Sequence, residues 1–248
     1  MLSEERLKER NIVTRKKVAI YGAVLLALSL AAFVTYKLMN SRTYQLFGGL
    51  TSHVDTSKKV VALTFDDGPT KNVDKLLPLL DRYNAKATFF VIGNELKKNP
   101  QLGKEIAAAG HQIGNHTYSH ERMVFKSLSF IRKEIETTNQ LIRKTGYKGD
   151  IDFRPPNGKK LVGLPYYLKQ HHIETIMWSL EPDTYYTSVA DKVNYVNKNV
   201  KPGDIILLHP MYDRTDNELK TIEGILDSLS KKGYRFVTVN ELQKKQTE

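Results

Sequence analysis

The stretch Val60-Val-Ala-Leu-Thr-Phe-Asp-Asp-Gly-Pro69 decides how the rest of the chain is interpreted. Its first six residues form a short apolar and β-branched run, and a Gly-Pro turn follows, which is typical of a buried strand. Asp66 and Asp67 therefore stand where that strand ends. Two adjacent carboxylates raise each other's pKa unless a positive group lies beside them. The stretch thus predicts a metal ion or an arginine at this strand end.

Strand-like and helix-like segments alternate from residue 58 to the end of the chain. This order predicts an α/β fold with a parallel sheet, and seven or eight such units close into a (β/α)7-8 barrel. The predicted strands are 60–65, 87–92, 111–114, 151–153, 173–178, 204–208 and 234–239. The predicted helices are 73–83, 100–109, 127–145, 161–171, 189–199, 219–232 and a short terminal one.

Polar side chains follow five of the seven predicted strands. In a parallel barrel the chemistry collects at the carboxyl ends of the strands, where the loops meet. Positions far apart in the sequence are therefore expected to converge on one rim. These positions are Asp66 and Asp67, His116 and His120, Arg154, Glu181, and His209.

His116 and His120 are four residues apart, which on one helical turn puts both imidazoles on the same face. With one aspartate they would form the open three-ligand site of a catalytic Zn²⁺, whose free position activates a water. The other aspartate would then act as the base, and Arg154 would keep it ionised. Surface histidines with this spacing are common without a metal, so the prediction depends on the neighbouring aspartates.

His209 follows the apolar run 205–208 and is expected to be half buried. In that place it can protonate a leaving amine from the face opposite the base, and a hydrogen-bonded core histidine is the alternative. Leu207, Leu208 and Trp178 lie near the same predicted rim. They would suit a small apolar pocket for a methyl group, although each is also an ordinary core residue.

Residues 18–36 form a nineteen-residue uncharged run, long enough to cross a hydrocarbon core of about 30 Å. Six Lys/Arg precede the run and two follow it closely, so the positive-inside rule places residues 1–17 in the cytoplasm. We interpret 18–36 as an uncleaved single-pass anchor in the cell membrane, 37–57 as a linker, and 58–248 as an extracellular domain. A cleaved signal peptide is the alternative, although 27–29 offers a weak cleavage site. A buried helix is disfavoured because no polar face interrupts the run.

The amino-acid composition limits the possible metal ligands and the possible binding partners. The chain has no cysteine, which excludes disulfides and thiolate zinc sites and leaves His, Asp or Glu as metal ligands. The formal net charge is +11, of which residues 1–50 carry +5 and the rest +6. This excess suits an anionic cell wall or membrane surface, and a solvated lysine-rich surface is the plain alternative. Nucleic acid is not an expected partner outside the cell.

Five stretches follow one another along the chain at the predicted strand ends. They are Thr64-Phe-Asp-Asp-Gly-Pro69, His116-Thr-Tyr-Ser-His120, Arg154-Pro-Pro-Asn-Gly158, Trp178-Ser-Leu-Glu181 and Leu207-Leu-His209. In this order they resemble the motifs of the polysaccharide deacetylases of the NodB-homology, carbohydrate esterase family 4 type, and the resemblance covers roughly residues 58–245. It implies a distorted (β/α) barrel and a metal-dependent hydrolase that removes N-acetyl groups from N-acetylglucosamine polymers such as peptidoglycan or chitin.

The resemblance assigns a role to each motif residue. It implies that Asp66 is the catalytic base and that Arg154 orients it. It also implies that Asp67, His116 and His120 hold a divalent metal, with Zn²⁺ expected and Co²⁺ or Ni²⁺ as alternatives.

The same resemblance implies the acid and the substrate contacts. His209 would be the general acid, and Leu207 would contact the acetyl group. The further substrate-binding candidates are Trp178, Asn157 and Tyr185. A cell-wall glycan is the expected partner.

Two motifs depart from the family pattern. In the third, Asn157 replaces the usual aromatic residue, although a backbone N–H there can still stabilise an oxyanion. In the fourth, Glu181 stands for the first aspartate, while Thr184 and Tyr185 stand where Asp-Trp is usual. The carboxylate that tunes the catalytic histidine would then be missing, unless Asp183 replaces it after a shift of one residue.

The metal site and the base are intact in the sequence, so enzymatic activity is expected. The alternatives are a catalytically impaired glycan-binding or scaffold protein on the same fold, or a hydrolase of another amide or ester, because fold alone does not define function.

Overall fold

The structure is a computed structural model that describes residues 2–244, with the backbone alone for residues 2–9 and 11–13. The chain divides into two compact units, Met1–Asn40 and Ser41–Glu248. The first unit is a single helix, α1 (Leu2–Asn40). Within the described residues, its part Thr14–Asn40 is the one helix long and apolar enough to cross a membrane. Residues 245–248, the end of the predicted domain, lie outside the described part.

The second unit is an α/β fold of short parallel strands and surrounding helices. Its strands are β1 (Leu50–Thr51), β2 (Val60–Asp66), β3 (Ala87–Val91), β4 (Gln112–Asn115), β5 (Thr175–Ile176), β6 (Ile205–Leu208) and β7 (Arg235–Phe236). Its helices are α2 (Val73–Arg82), α3 (Gly93–Lys98), α4 (Pro100–Ala108), α5 (Leu128–Lys144), α6 (Gly163–Gln170), α7 (Val189–Asn199), α8 (Asn217–Lys231) and α9 (Val239–Gln243). Three 3₁₀ turns cover Pro156–Gly158, Pro182–Thr184 and Pro210–Tyr212.

The strands form a ring. β2 pairs in parallel with β3 and with β6, and β3 pairs in parallel with β4. Single parallel bridges continue the ring from Asn115 through Phe153 to Thr175, and from Leu180 to Ile206. The ring therefore closes as the distorted (β/α) barrel that the strand–helix alternation predicts.

Three of the predicted strands are reduced in the structure, and the one predicted over 173–178 is reduced to β5. The segment 151–153 contributes one bridging residue, Phe153, because Pro155 and Pro156 follow closely and lack the N–H donors that pairing needs. The strand predicted over 234–239 shrinks to β7, because Thr238 starts α9 with a capping box. β7 pairs with the first residues of β2 and does not add a position to the ring.

The linker predicted over 37–57 is corrected by the structure. Residues 37–40 continue α1, and β1 pairs in parallel with β5. Val54 is 2% exposed and packs in the barrel interior, and its backbone N–H donates to the carbonyl of Gly203 at 3.0 Å. Leu50 and Val54 supply apolar surface to the core, so residues 50–54 pack as part of the second unit.

The two faces of β2 have different neighbours, as the period of a strand requires. Val61, Leu63 and Phe65 pack in the cluster formed with the surrounding helices, while Val60 and Ala62 pack inside the barrel. Thr64 and Asp66 belong to the inner face by the same alternation. The strand therefore delivers the first aspartate to the inside of its carboxyl end.

Candidate active site

The centre of the site is a buried ion pair. Asp66 is 3% exposed and Arg154 is fully buried. Nη1 of Arg154 donates to Oδ1 of Asp66 at 2.7 Å and to Oγ1 of Thr64 at 2.8 Å. The guanidinium carbon lies 4.1 Å above the ring of Phe90. The cation therefore has a fixed position inside the barrel, beside the carboxylate.

Two further hydrogen bonds fix Arg154. Its Nε donates to the carbonyl of Ile176 at 3.2 Å, and its Nη2 donates to the carbonyl of Met177 at 3.1 Å. Burial alone would raise the pKa of Asp66, but the charges of Arg154, His116 and His209 outweigh burial and hold that pKa below its ordinary value. Asp66 is thus ionised at neutral pH, which is the state that a general base needs.

Asp67, His116 and His120 form a second cluster beside this ion pair. One ligand atom from each lies within 4.8 Å of the others. Oδ1 of Asp67 lies 3.3 Å from Nε2 of His120 and 3.8 Å from Nε2 of His116. Asp67 leaves the strand with a left-handed backbone at φ 69°, so the alternation of β2 ends there and both carboxylates reach one rim.

The three residues fit a divalent cation. Oδ1 of Asp67 is buried and has no hydrogen-bond partner among the described residues, so a cation would satisfy it. Nδ1 of His116 lies 2.7 Å from the carbonyl oxygen of Arg154. A carbonyl accepts but cannot donate, so Nδ1 carries the proton and Nε2 offers its lone pair to the cluster. Two imidazoles and one carboxylate are a donor set that suits Zn²⁺, and imidazole also suits other transition metals.

The loop that carries the two histidines is not the helical turn expected from their spacing. Thr117 and His120 have positive φ values of 69° and 60°. Oε2 of Glu134 accepts hydrogen bonds from the backbone N–H groups of Tyr118 and Ser119 at 2.9 and 2.8 Å, and from Oγ of Ser119 at 3.0 Å. Sequence reasoning missed Glu134, whose one signal is an acidic residue on the buried face of α5.

His209 is paired with Asp183. Nδ1 of His209 lies 3.0 Å from Oδ2 of Asp183, and the same oxygen accepts the backbone N–H of His209 at 3.2 Å. Burial would lower the pKa of His209, but Asp183 and the charges of Asp66 and Asp67 raise it to about 9. His209 is therefore protonated at neutral pH.

Asp183 is therefore the carboxylate that contacts His209, a position for which the sequence offered both Asp183 and Glu181. Glu181 has other partners. Oε2 of Glu181 accepts a hydrogen bond from Nε1 of Trp178 at 3.0 Å and pairs with Nη2 of Arg42 at 2.9 Å. The 3₁₀ turn over Pro182–Thr184 presents Asp183 to the histidine one residue before the position that ungapped alignment gives.

The apolar candidates divide between two faces of the barrel wall. Leu207 is 1% exposed and packs inside the barrel with Phe90 and Trp178. The ring of Trp178 lies 5.6 Å from the guanidinium carbon of Arg154. Leu208 belongs to the outer cluster with the helices, so the expectation that it lines an inner pocket is wrong. The alternation of β6 is the reason.

Asn157 and Tyr185 lie on loops. Asn157 has φ 55°, and its Oδ1 accepts a hydrogen bond from Nε of Arg122 at 3.1 Å. Tyr185 is 58% exposed, and its ring packs with the rings of Tyr186 and Tyr195. Their role in binding a substrate remains a prediction from the motifs.

Comparisons with known proteins agree with the motifs. A family model described as polysaccharide deacetylase matches residues 53–176. A peptidoglycan-N-acetylglucosamine deacetylase of Bacillus cereus is 37% identical over 199 residues, which are 79% of this chain and 93% of that protein.

Solved structures with the same fold include an enzyme and a pseudoenzyme. A peptidoglycan N-acetylglucosamine deacetylase in complex with a hydroxamate-type benzamide aligns with a TM-score of 0.74 at 32% identity, over 79% of this chain and 93% of that one. A CE4 family pseudoenzyme from Bacillus anthracis aligns with a TM-score of 0.72 at 26% identity, over 81% and 70%. The fold alone therefore does not separate active from inactive members. The chain belongs to the polysaccharide deacetylase family, the NodB-homology hydrolases of carbohydrate esterase family 4.

Proposed function

We propose that the chain is a metal-dependent N-deacetylase that hydrolyses the acetamido group of N-acetylglucosamine residues in peptidoglycan. The observation that carries this proposal is the pair of protonation states at one rim of the barrel. Asp66 is ionised and His209 is protonated, and both lie beside the cluster of Asp67, His116 and His120. The Bacillus cereus relative supports the choice of peptidoglycan.

The proposed ligands are Asp67, His116 and His120. A divalent cation bound there supplies Lewis acidity and lowers the pKa of a water. Zn²⁺ is the expected ion for two imidazoles and one carboxylate, and Co²⁺ or Ni²⁺ are alternatives. The hydrogen bond from Nδ1 of His116 to the carbonyl of Arg154 keeps Nε2 unprotonated and oriented for this task.

Asp66 acts as the base in this proposal. Arg154 occupies Oδ1 of the carboxylate, so Oδ2 accepts the proton of the attacking water. Because Arg154 is held by two carbonyls and stacked on Phe90, the carboxylate does not have to reorganise as it takes the proton.

His209 acts as the acid. Asp183 holds Nδ1, so Nε2 presents its proton to the leaving amine. Opposite pKa shifts of base and acid keep Asp66 ionised and His209 protonated at the same neutral pH, as this division of roles requires. Leu207 and Trp178 are the proposed contacts of the acetyl group and the sugar.

We further propose that residues 18–36 anchor the protein in the cell membrane, with residues 1–17 in the cytoplasm and the barrel outside. The length of the apolar part of α1 and the basic residues before it support this topology. The intact mass of the protein from a membrane fraction tests it. The full-length mass agrees with an anchor, and loss of the first residues indicates a cleaved signal peptide.

Acetate release is the test of the proposed activity. The full-length protein in detergent is stripped of metal, reloaded with Zn²⁺ or Co²⁺, and incubated with peptidoglycan, chitin oligomers and acetylated xylan. We expect acetate from peptidoglycan, loss of release after stripping, and recovery after reloading. Absence of acetate with every substrate in the loaded protein would refute the proposal.

A non-catalytic glycan-binding protein is the second candidate. The likeness to a pseudoenzyme and the replacement of the usual motif tryptophan by Tyr185 favour it. This candidate predicts glycan binding without turnover, and binding that does not change in His116→Ala. A measurable turnover that His116→Ala abolishes would reject it.

A further inference from the structure

Lys192 is a buried cation outside the five motifs. It lies in α7, its side chain is 7% exposed, and its Nζ lies 2.9 Å from Oδ1 of Asp183. Nζ also donates to Oε1 of Glu218, in the first turn of α8. An ammonium removed from water needs such carboxylate partners to remain charged. The two carboxylates raise the pKa of Lys192 although burial alone would lower it.

The two oxygens of Asp183 have different partners. Oδ2 accepts from Nδ1 and from the backbone N–H of His209, while Oδ1 faces Nζ of Lys192. Rotation of the carboxylate would break both sets of contacts. Asp183 stands in a 3₁₀ turn of three residues, Pro182–Thr184, so its orientation depends on contacts from outside that turn.

A second set of contacts connects α8 to the chain segment that follows His209. The chain continues from His209 through the turn Pro210–Tyr212 to Asp213. Oδ2 of Asp213 accepts the backbone N–H of Glu218 at 2.8 Å. The contacts therefore form a continuous network. His209 contacts Asp183, Asp183 contacts Lys192, and Lys192 contacts Glu218. The backbone N–H of Glu218 contacts Asp213, which lies four residues after His209 in the chain. These contacts fix the side chain of Asp183 beside the imidazole, and they fix the chain segment that follows His209.

We propose that Lys192 and Glu218 are positioning residues for the acid step, which hold Asp183 in the orientation that directs Nε2 of His209 toward the leaving group. This proposal rests on the proposed deacetylase function. Neither residue is expected to touch the substrate. Their effect is therefore confined to the step in which the leaving group takes a proton from His209.

The choice of leaving group tests this proposal. An amine must be protonated as the C–N bond breaks, whereas 4-nitrophenolate leaves from an aryl acetate without a proton. In Lys192→Met we expect kcat for an N-acetylglucosamine oligomer to fall about 10- to 100-fold with KM nearly unchanged, by analogy with other supporting partners of site residues. We expect kcat for 4-nitrophenyl acetate to change by less than about three-fold, since the acid is not needed there.

Matched variants separate positioning from folding. Lys192→Arg keeps the charge between the carboxylates and should recover most of the amide activity. Glu218→Gln should lower amide turnover and spare the ester. Lys198→Met makes the same change at an exposed position of the same helix and should have no effect. Equal losses for amide and ester in Lys192→Met, or no loss for either, would overturn the proposal.

A spectroscopic readout keeps this test independent of the proposed function. In the metal-loaded full-length protein, the ¹⁵N-bound Nδ1–H of His209 should give a resolved, slowly exchanging resonance because Asp183 accepts it. Lys192→Met should broaden or remove this resonance, and Lys198→Met should not. If the protein releases no acetate but the resonance responds in this way, the positioning holds and the deacetylase function fails. An unchanged resonance in Lys192→Met would refute the positioning itself.

Discussion

Asp66 and His209 show how single residues acquire opposite charges in one small space. Arg154 lies against the first and Asp183 against the second, at 2.7 and 3.0 Å. In each case the partner overcomes a burial effect of opposite sign. The proposed roles of base and acid therefore follow from which charged neighbour each group has.

Asp183→Asn should move the alkaline limit of activity to lower pH. Against the effect of burial, the carboxylate of Asp183 helps to raise the pKa of His209, so its removal lowers that pKa, and the proposed acid loses its proton at a lower pH. The acidic limit, which depends on Asp66, should move little. The profile of kcat/KM against pH measures both limits. Asp191→Asn, at an exposed position of α7, is the control. An alkaline limit that stays in place in Asp183→Asn would contradict this assignment.

The residues that the sequence could identify are those at strand ends. Asp66, Asp67, Arg154 and His209 each stand at the end of a predicted strand, so the topology of a parallel barrel places them together before any side chain is known. Glu134 and Lys192 could not be found this way, because they reach the site from helices at ordinary amphipathic positions. The choice of Asp183 over Glu181 depended on the turn Pro182–Thr184, whose conformation the sequence did not reveal.

At the scale of elements, the loop 116–120 determines the positions of His116 and His120. It follows β4 and has positive φ values at Thr117 and His120, so no regular ladder stabilises it. Three hydrogen bonds to Glu134 and one from the backbone N–H of His120 to Oγ1 of Thr117 at 3.0 Å hold it. The spacing of the two histidines is thus maintained from α5.

Glu134→Gln should weaken metal binding without touching a ligand. The amide is a weaker acceptor than the carboxylate for two backbone N–H groups and one hydroxyl, so the loop loses its preferred geometry. We expect affinity for Zn²⁺ to fall about 10- to 100-fold, the range known for supporting residues of metal sites. Competition with a chromophoric chelator measures it. Glu136→Gln, two residues along the same helix, is the control, and equal affinities in both variants would contradict the prediction.

Helix positions were easier to predict than strand lengths. Pro100 begins α4 and Gly110, at φ 76°, follows its end, as the sequence indicates. α3 was missed because six residues are too few to show a helical period. β1 was missed because it is two residues long and lies in a stretch rich in Gly, Ser and Thr, which composition alone marks as a linker. Pairing with β5, a contact distant in sequence, decides its structure.

At the scale of the whole domain, the candidate active site and a second buried ionisable group lie at opposite ends of the barrel. The carboxyl ends of the strands carry the site, while the amino end holds a buried carboxyl group, Asp152. Its Oδ2 accepts a hydrogen bond from Nε2 of Gln112 at 2.8 Å. Burial, together with the charges of Glu174 and Asp150, raises the pKa of Asp152 from 3.8 to about 7.

Asp152 should make the domain less stable as pH rises. A group whose pKa is higher in the folded state stabilises the fold below its unfolded pKa, and this contribution is lost as pH rises through the folded value, here between about 4 and 7. Asp152→Asn keeps the shape and stays neutral. We expect its stability relative to the wild type to increase between pH 5 and pH 8.5, by at most about 3 kcal/mol.

Urea unfolding of the detergent-solubilised full-length chain at the two pH values measures this difference, because contributions of the metal site are common to both proteins and cancel. A variant that is equally destabilised at both pH values would show that the carboxyl group is ionised and needed in the fold.

The central claim is that one rim holds a metal through Asp67, His116 and His120 while Asp66 stays free to act as the base. Acetate release from peptidoglycan by Asp66→Asn, with bound metal measured in the same sample, tests it most directly. We expect the variant to keep about one equivalent of Zn²⁺ and to lose at least about 100-fold in kcat, because a positioned base contributes about 10²- to 10⁴-fold. Turnover near that of the wild type, or a loss of activity that follows loss of the metal, would contradict the account.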